Sequence, residues 1–183
     1  MDKVPLYNES SVAYHRRYRQ IQRVKYQALA PYLQEGPLVD VGIGTGIGLS
    51  TLLRIHSVVG VDASIEMLRL ARKLASAYDA GPAIVHLVCS DAAELPFRAD
   101  SFSTAVSVTM LQNLMDIVRA VRELVRTTRH GGLLGITALE RSLPLQKLEA
   151  LTASDTTLVA RLTDLASEDA GLILRRVTAK PQT

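Results

Sequence analysis

Val39-Asp40-Val41-Gly42-Ile43-Gly44-Thr45-Gly46-Ile47-Gly48-Leu49-Ser50 is the stretch whose reading decides the fold. Glycine falls at every second position from Gly42 to Gly48, directly after the apolar run Leu38-Val39-Asp40-Val41. A strand that turns sharply into a helix needs positive φ or a bare backbone at such points. Missing side chains also let a ligand come close to the main chain. The segment therefore predicts a buried strand, a tight glycine turn and an apolar helix running to about Ile55. The free N–H groups and positive end of a helix starting after Gly46 would face a crevice beyond the strand ends.

The pattern repeats outward from this turn. Upstream, Ser10–Leu33 reads as a helix, with Tyr14, Tyr18, Ile21, Ala28, Leu29 and Leu33 on one face and most arginines on the other. Glu35-Gly36-Pro37 ends it, because Gly suits a C-terminal cap and Pro cannot continue a helix. Downstream come a strand at Ser57–Val61 and a helix at Ser64–Tyr78, with Ile65, Leu68, Ala71, Ala75 and Tyr78 inward. The cluster Asp79-Ala80-Gly81-Pro82 breaks the chain. Strands follow at Ala83–Val88 and Phe102–Val108. A helix at Leu114–Thr127 turns Ile117, Val121, Leu124 and Val125 inward, and His130-Gly131-Gly132 leads into a strand at Leu133–Ala138. Five alternations of this kind predict an α/β fold: a single doubly wound, mostly parallel sheet with helices on both faces. Nearly continuous apolar strands agree, since parallel sheets are covered on both sides. After Glu140 one or two short helices are expected between Leu143 and Leu165, then a last strand near Leu172–Val177.

The chain has 183 residues, the length of one domain with its own core. Its single cysteine, Cys89, excludes a disulfide framework and a cysteine metal cluster, so no metal is expected and a reducing cytoplasm fits. Met1–Ser11 lacks the apolar core of a secretory signal. No stretch reaches the roughly 18 apolar residues of a membrane span. The net charge of +3 is mild, but the basic residues cluster: Arg16, Arg17, Arg19, Arg23 and Lys25 on one segment, Arg119, Arg122, Arg126 and Arg129 on another. These read first as solvated helix faces, and they leave a nucleic-acid partner open.

The glycine turn selects among ligands. The dinucleotide fingerprint G-x-G-x-x-G fails in both registers, at Ile47 from Gly42 and at Leu49 from Gly44. Present instead is Asp-x-Gly-x-Gly-x-Gly from Asp40 to Gly46. An acid at the end of the first strand would repel a pyrophosphate and suits a ligand carrying an ammonium group. Asp62, which closes Val58-Val59-Gly60-Val61-Asp62, lies 20 residues after Gly42, where a carboxylate can accept both hydroxyl hydrogens of a ribose. A strand-end Asp can also serve only to cap the next helix. Asp91, in Cys89-Ser90-Asp91-Ala92-Ala93-Glu94-Leu95-Pro96-Phe97, could accept from an adenine amino group.

With these motifs the chain resembles the class I S-adenosylmethionine (SAM)-dependent methyltransferases, in particular the small type 11 branch, from about Tyr7 to Ala138. The matching pieces include Val39–Gly46, Gly60–Leu68, Asp91–Phe97, Asp100-Ser101-Phe102-Ser103 with Ser107–Leu114, and His130-Gly131-Gly132-Leu133-Leu134. The resemblance implies a Rossmann-like fold, with an N-terminal cap helix region at 1–36 and a SAM-binding domain at 37–183 within one structural unit. It implies that Asp40 and the backbone of Gly42, Ile43, Gly44, Thr45 and Gly46 hold the methionine part of SAM. Asp62 would bind the ribose, with Ala63 and Met67 lining the pocket. Asp91 and Ala92 would read adenine, and Ser107 would sit beside the sulfonium. Tyr7 and Tyr14 resemble paired aromatics of a cap helix over the cofactor. The chain departs from the family at Ser103, where Asp is common, at Gln112-Asn113, which replace a His pair, and at His130, which replaces Pro. The second departure puts an imidazole acid–base role in doubt.

SAM carries its methyl group already activated, so the protein mainly positions an acceptor atom and excludes water. A base is needed only if the acceptor loses a proton. Gln112, Asn113, Asp116, Tyr14 and His15 are candidates, each read more readily as a surface or capping residue. The absence of an Asn-Pro-Pro-Tyr-like tetrapeptide after the fourth strand argues against amide or exocyclic-amine methylation. Three readings remain: a methyltransferase for a small molecule, one for RNA or protein, and a non-catalytic SAM- or nucleoside-binding domain. Without an inserted substrate domain, the site is expected to stay open or be completed by a second copy or a small activator subunit.

Overall fold

The computed structural model describes residues 19–54, 57–78, 83–165 and 168–177. Seven strands form one sheet in the order β3-β2-β1-β4-β5-β7-β6. They are β1 (Leu38–Val41), β2 (Val58–Asp62), β3 (Val85–Cys89), β4 (Phe102–Val108), β5 (Thr128–Leu139), β6 (Thr156–Leu165) and β7 (Asp169–Arg176). The first five run parallel; β7 is antiparallel to β5, and β6 is antiparallel to β7. The order reverses between β1 and β4, and open α/β sheets bind ligands beyond the strand ends at such a point.

Helices cover both faces. Residues 19–29 are helical (α1) and end in a short 3-10 turn, Ala30–Tyr32. With α2 (Leu49–Leu52) and α3 (Ile65–Ser76), α1 packs on one face through Leu29, Leu49, Leu52 and Leu68. On the other face lie α4 (Ile117–Thr127) and α5 (Leu145–Thr152), with Val121, Leu124, Leu145 and Leu148 in the core. Every residue of β4 is buried, as a strand covered on both sides requires.

Four expectations are corrected. The helix after the glycine turn begins three residues past Gly46, at Leu49, and is a single turn ending at Leu52 instead of running to about Ile55. In α3 the Ser64 hydroxyl caps the helix by accepting from Met67 N at 3.2 Å; Met67 packs inward and Ile65 is 46% exposed. Between Leu143 and Leu165 one short helix, α5, lies as expected, but the span also holds a strand not expected there, β6, which pairs along β7. Lys25, read with the basic cluster, is buried rather than solvated. The segment before Arg19, with Tyr7, Tyr14 and His15, lies outside the described residues, as do 79–82.

Candidate functional site

The carboxyl ends of β1 to β4 open onto a cavity of about 550 Å³. That lies within the roughly 300–1,000 Å³ usual for small-molecule sites. Each strand end contributes: Val41 and Gly42 after β1, Asp62 and Ala63 after β2, Ser90 to Ala93 after β3, Thr109 and Met110 after β4. The loop into α4 and its first turns close another side with Asn113, Leu114, Met115, Asp116 and Arg119.

The glycine turn is held from within. Gly42 N and Ile43 N both donate to Val61 O, at 2.8 and 3.0 Å, and Gly46 N donates to Ile43 O at 3.1 Å. Gly44 N donates to Asp62 Oδ2 at 2.9 Å. These N–H groups already have protein partners, so the turn does not present the open row of donors expected at a helix N-terminus. Its glycines do different work. At Gly44, φ is +58° and a methyl group would meet nothing within 4 Å, so the backbone there borders open space. At Gly42 a Cβ would lie 2.4 Å from Met110 Cγ, so the absent side chain admits the loop after β4.

Asp62 joins two of the strand-end turns. One oxygen takes the Gly44 hydrogen bond; the other accepts from Ser64 N at 2.9 Å. Burial pushes its carboxyl above the usual range, opposed by the N–H donors of Ser64, Gly44 and Ala63. Each oxygen has capacity beyond these single bonds. Its backbone carbonyl also accepts from Ser90 N at 3.2 Å, tying the β2 and β3 turns together. Asp91 shapes the third turn: Oδ1 accepts from Ala93 N at 2.8 Å. Behind it, Glu123 accepts from Leu95 N while Arg126 donates to the carbonyls of Phe97 and Leu95. The Arg126 guanidinium holds the Glu123 carboxyl below its usual range.

Of the predicted residues, Gly42, Gly44, Asp62, Ala63, Met67, Asp91 and Ala92 line this one cavity. Asp40, Ile43, Thr45, Gly46 and Ser107 do not, and all five are buried. Alternation along β1 explains Asp40: it points opposite to Val39 and Val41, toward α1, where the Tyr26 hydroxyl donates to Oδ2 at 2.8 Å. Burial pushes the Asp40 carboxyl up to about 7, against the Tyr26 hydrogen bond. A carboxyl so placed does not offer a ligand ammonium the open negative charge read from the sequence.

The base candidates are also engaged. Asp116 caps α4 by accepting from Arg119 N at 2.9 Å. Gln112 Nε2 and Asn113 Nδ2 donate to Thr109 O at 3.1 and 3.4 Å, and of these two only Asn113 lines the cavity. Within the basic clusters, Arg119 pairs with Glu94 and Arg126 with Glu123, so part of that charge is neutralised inside the chain. Sequence reasoning missed Thr109, Met110, Met115 and Arg119. Thr109 takes a left-handed backbone, φ +54°, which no sequence pattern marks.

Bare Gly44, the two-turn carboxylate Asp62 and the third-strand Asp91 suit the backbone, ribose and base of an adenosine ligand. Comparison with known proteins agrees. Residues 39–136 match the family described as methyltransferase domain. The chain belongs to that family. It is 34% identical over 97 residues to a phosphatidylethanolamine N-methyltransferase of Cereibacter sphaeroides, covering 53% of this chain and 47% of that one. It is 35% identical over 124 residues to a demethylmenaquinone methyltransferase of Roseiflexus castenholzii, covering 66% and 49%. The chain thus spans about half the length of the curated relatives it matches. Among solved structures, a Haloferax volcanii chain described as a methyltransferase, in complex with the Trm112 methyltransferase activator, superposes with a TM-score of 0.77. That likeness, at 16% identity over 94% of this chain and 98% of the other, concerns the fold. No described helix is long and apolar enough to cross a membrane.

Proposed function

We propose that this protein is an enzyme that transfers the methyl group of SAM to a small-molecule acceptor. The observation that carries the reading is Asp62: a carboxylate at the wall of a 550 Å³ cavity, fixed by one backbone N–H on each oxygen. Asp62 would take the ribose hydroxyls, Asp91 and Ala92 the adenine edge, and the bare turn at Gly42 and Gly44 the methionine end. Ala63 and Met67 supply the apolar wall beside the ribose. When bound, SAM supplies an electrophilic methyl group that its sulfonium releases in an in-line displacement. The chain's own task is then to orient the acceptor and keep water out. Asn113, Leu114 and Met115 border the remaining space and would meet that acceptor. Two sequence relatives are named for lipid-soluble small molecules, which favours a small acceptor over a macromolecule. A cytoplasmic location accords with the lone, exposed thiol of Cys89.

Titration calorimetry with S-adenosylhomocysteine tests the reading. Wild type is expected to bind, and Asp62→Ala to lose about 30-fold or more in affinity, as for a charged hydrogen-bonding group removed from a site. Tight NADH binding with no S-adenosylhomocysteine binding would overturn it. A second reading, an RNA- or protein-directed enzyme completed by an activator subunit, draws on the Haloferax likeness. Extract methylation with labelled SAM, with and without nuclease, separates the two: label that vanishes with nuclease marks RNA.

A further inference from the structure

We propose that Lys25 is a positioning residue: it clamps Thr109 against Asp169 and thereby sets the cavity wall formed by residues 109–116. Lys25 lies on α1 and does not itself line the cavity, and its side chain is 2% exposed. Its Nζ donates to Thr109 Oγ1 at 2.8 Å and forms an ion pair with Asp169, whose side chain is 1% exposed. Asp169 opens β7 opposite Leu139, at the end of β5. Thr109 Oγ1 in turn donates to Asp169 Oδ1 at 3.3 Å. One ammonium group therefore joins the helix on one face, the antiparallel strand and the residue following β4.

Thr109 is the point where this matters. It is β-branched yet left-handed, a conformation that persists only where surroundings over-determine it. Its N–H donates to Thr137 O at 2.9 Å, and its carbonyl accepts from both Gln112 and Asn113. Those two bonds fold the loop back on itself. Met110, next in the chain, sits against bare Gly42. Displacing Thr109 would move the loop across the glycine turn and change the cavity.

A buried ion pair adds little stability over apolar residues of similar size. A merely structural pair would therefore be replaceable, whereas a clamp that needs the Thr109 hydrogen bond would not. The decisive variant is Lys25→Met combined with Asp169→Leu, which removes both charges together. Its amide hydrogen exchange over 109–116, in the ligand-free protein, is expected to quicken about tenfold or more, with β4 and β1 unchanged. Wild-type exchange over 109–116 in this variant would overturn the proposal. Should the double variant fail to fold, Thr109→Val keeps the ion pair and removes only the clamped hydroxyl. The same local quickening is expected there, and its absence equally overturns the clamp. The ligand consequence rests on the SAM reading: the variants should bind S-adenosylhomocysteine about tenfold more weakly. If wild type binds none while the exchange result holds, the cofactor reading fails and the clamp stands.

Discussion

Tyr26 donates its hydroxyl to Asp40 Oδ2 at 2.8 Å, and the other oxygen of that carboxyl has no hydrogen-bond partner among the described residues. One ring from α1 thus supports the acid at the end of β1. The same ring lies over Gly48, where a Cβ would come within 2.4 Å of it. Packing at the glycine turn and the state of Asp40 are therefore linked through one residue.

The first prediction concerns pH. Asp40 has a folded-state value of about 7 against 3.8 for an unperturbed group, so between them the folded chain keeps a proton that the unfolded chain has released. Stability is then greatest below 3.8, falls as pH rises, and has lost this contribution fully above about 7. The full loss is on the order of 4 kcal/mol. Asp62 is shifted in the same direction, so the comparison must isolate Asp40. Urea unfolding from pH 4 to 8 should show a shallower decline for Asp40→Asn than for wild type. Parallel declines would contradict the burial argument.

Tyr26→Phe should steepen that decline. The hydroxyl lowers the Asp40 value, and without it the buried charge has no donor among the described residues. At pH 8 a loss of roughly 1–3 kcal/mol is expected, the usual penalty for an orphaned buried polar group. At pH 4 the loss should be smaller, and equal losses at both pH values would argue for packing alone.

Asp62→Asn separates charge from shape. The amide keeps one acceptor oxygen but places an NH₂ against the N–H of either Gly44 or Ser64. S-adenosylhomocysteine affinity should fall about tenfold or more, while circular dichroism stays native. An unchanged affinity would remove Asp62 from the binding set.

The two glycines should respond differently to alanine. Gly44→Ala meets open space, so its effect is the left-handed backbone, roughly 1 kcal/mol, plus a methyl group facing the cavity. Gly42→Ala drives a methyl into Met110 and must shift the loop after β4. Thermal melts should show the larger loss for Gly42→Ala. A larger loss for Gly44→Ala would place the strain elsewhere.

Local pattern carried much of this protein. Apolar runs ended by carboxylates or glycines, with helices between them, specify a doubly wound sheet, and strand ends at Asp62 and Asp91 follow from that alternation. Family motifs are legible for the same reason: a turn that needs bare backbone restricts which residues can stand there. β6 was not legible. As an edge strand it leaves Leu158 and Val159 exposed, and its identity comes from pairing with β7 rather than from its own periodicity.

Asp40, Lys25 and Thr109 mark the same boundary more sharply. By itself the sequence determined that an acid ends β1 and that a basic run lies on the N-terminal helix. Only the tertiary structure decided that this acid faces Tyr26 instead of the cavity, and that one lysine of the run is buried on Asp169. The physical reason is distance along the chain. Lys25 stands 84 residues from Thr109, and Asp169 stands 60 beyond it. A charge is assigned its role by the desolvated partner it meets, and residues so far apart meet only once the sheet has closed over both.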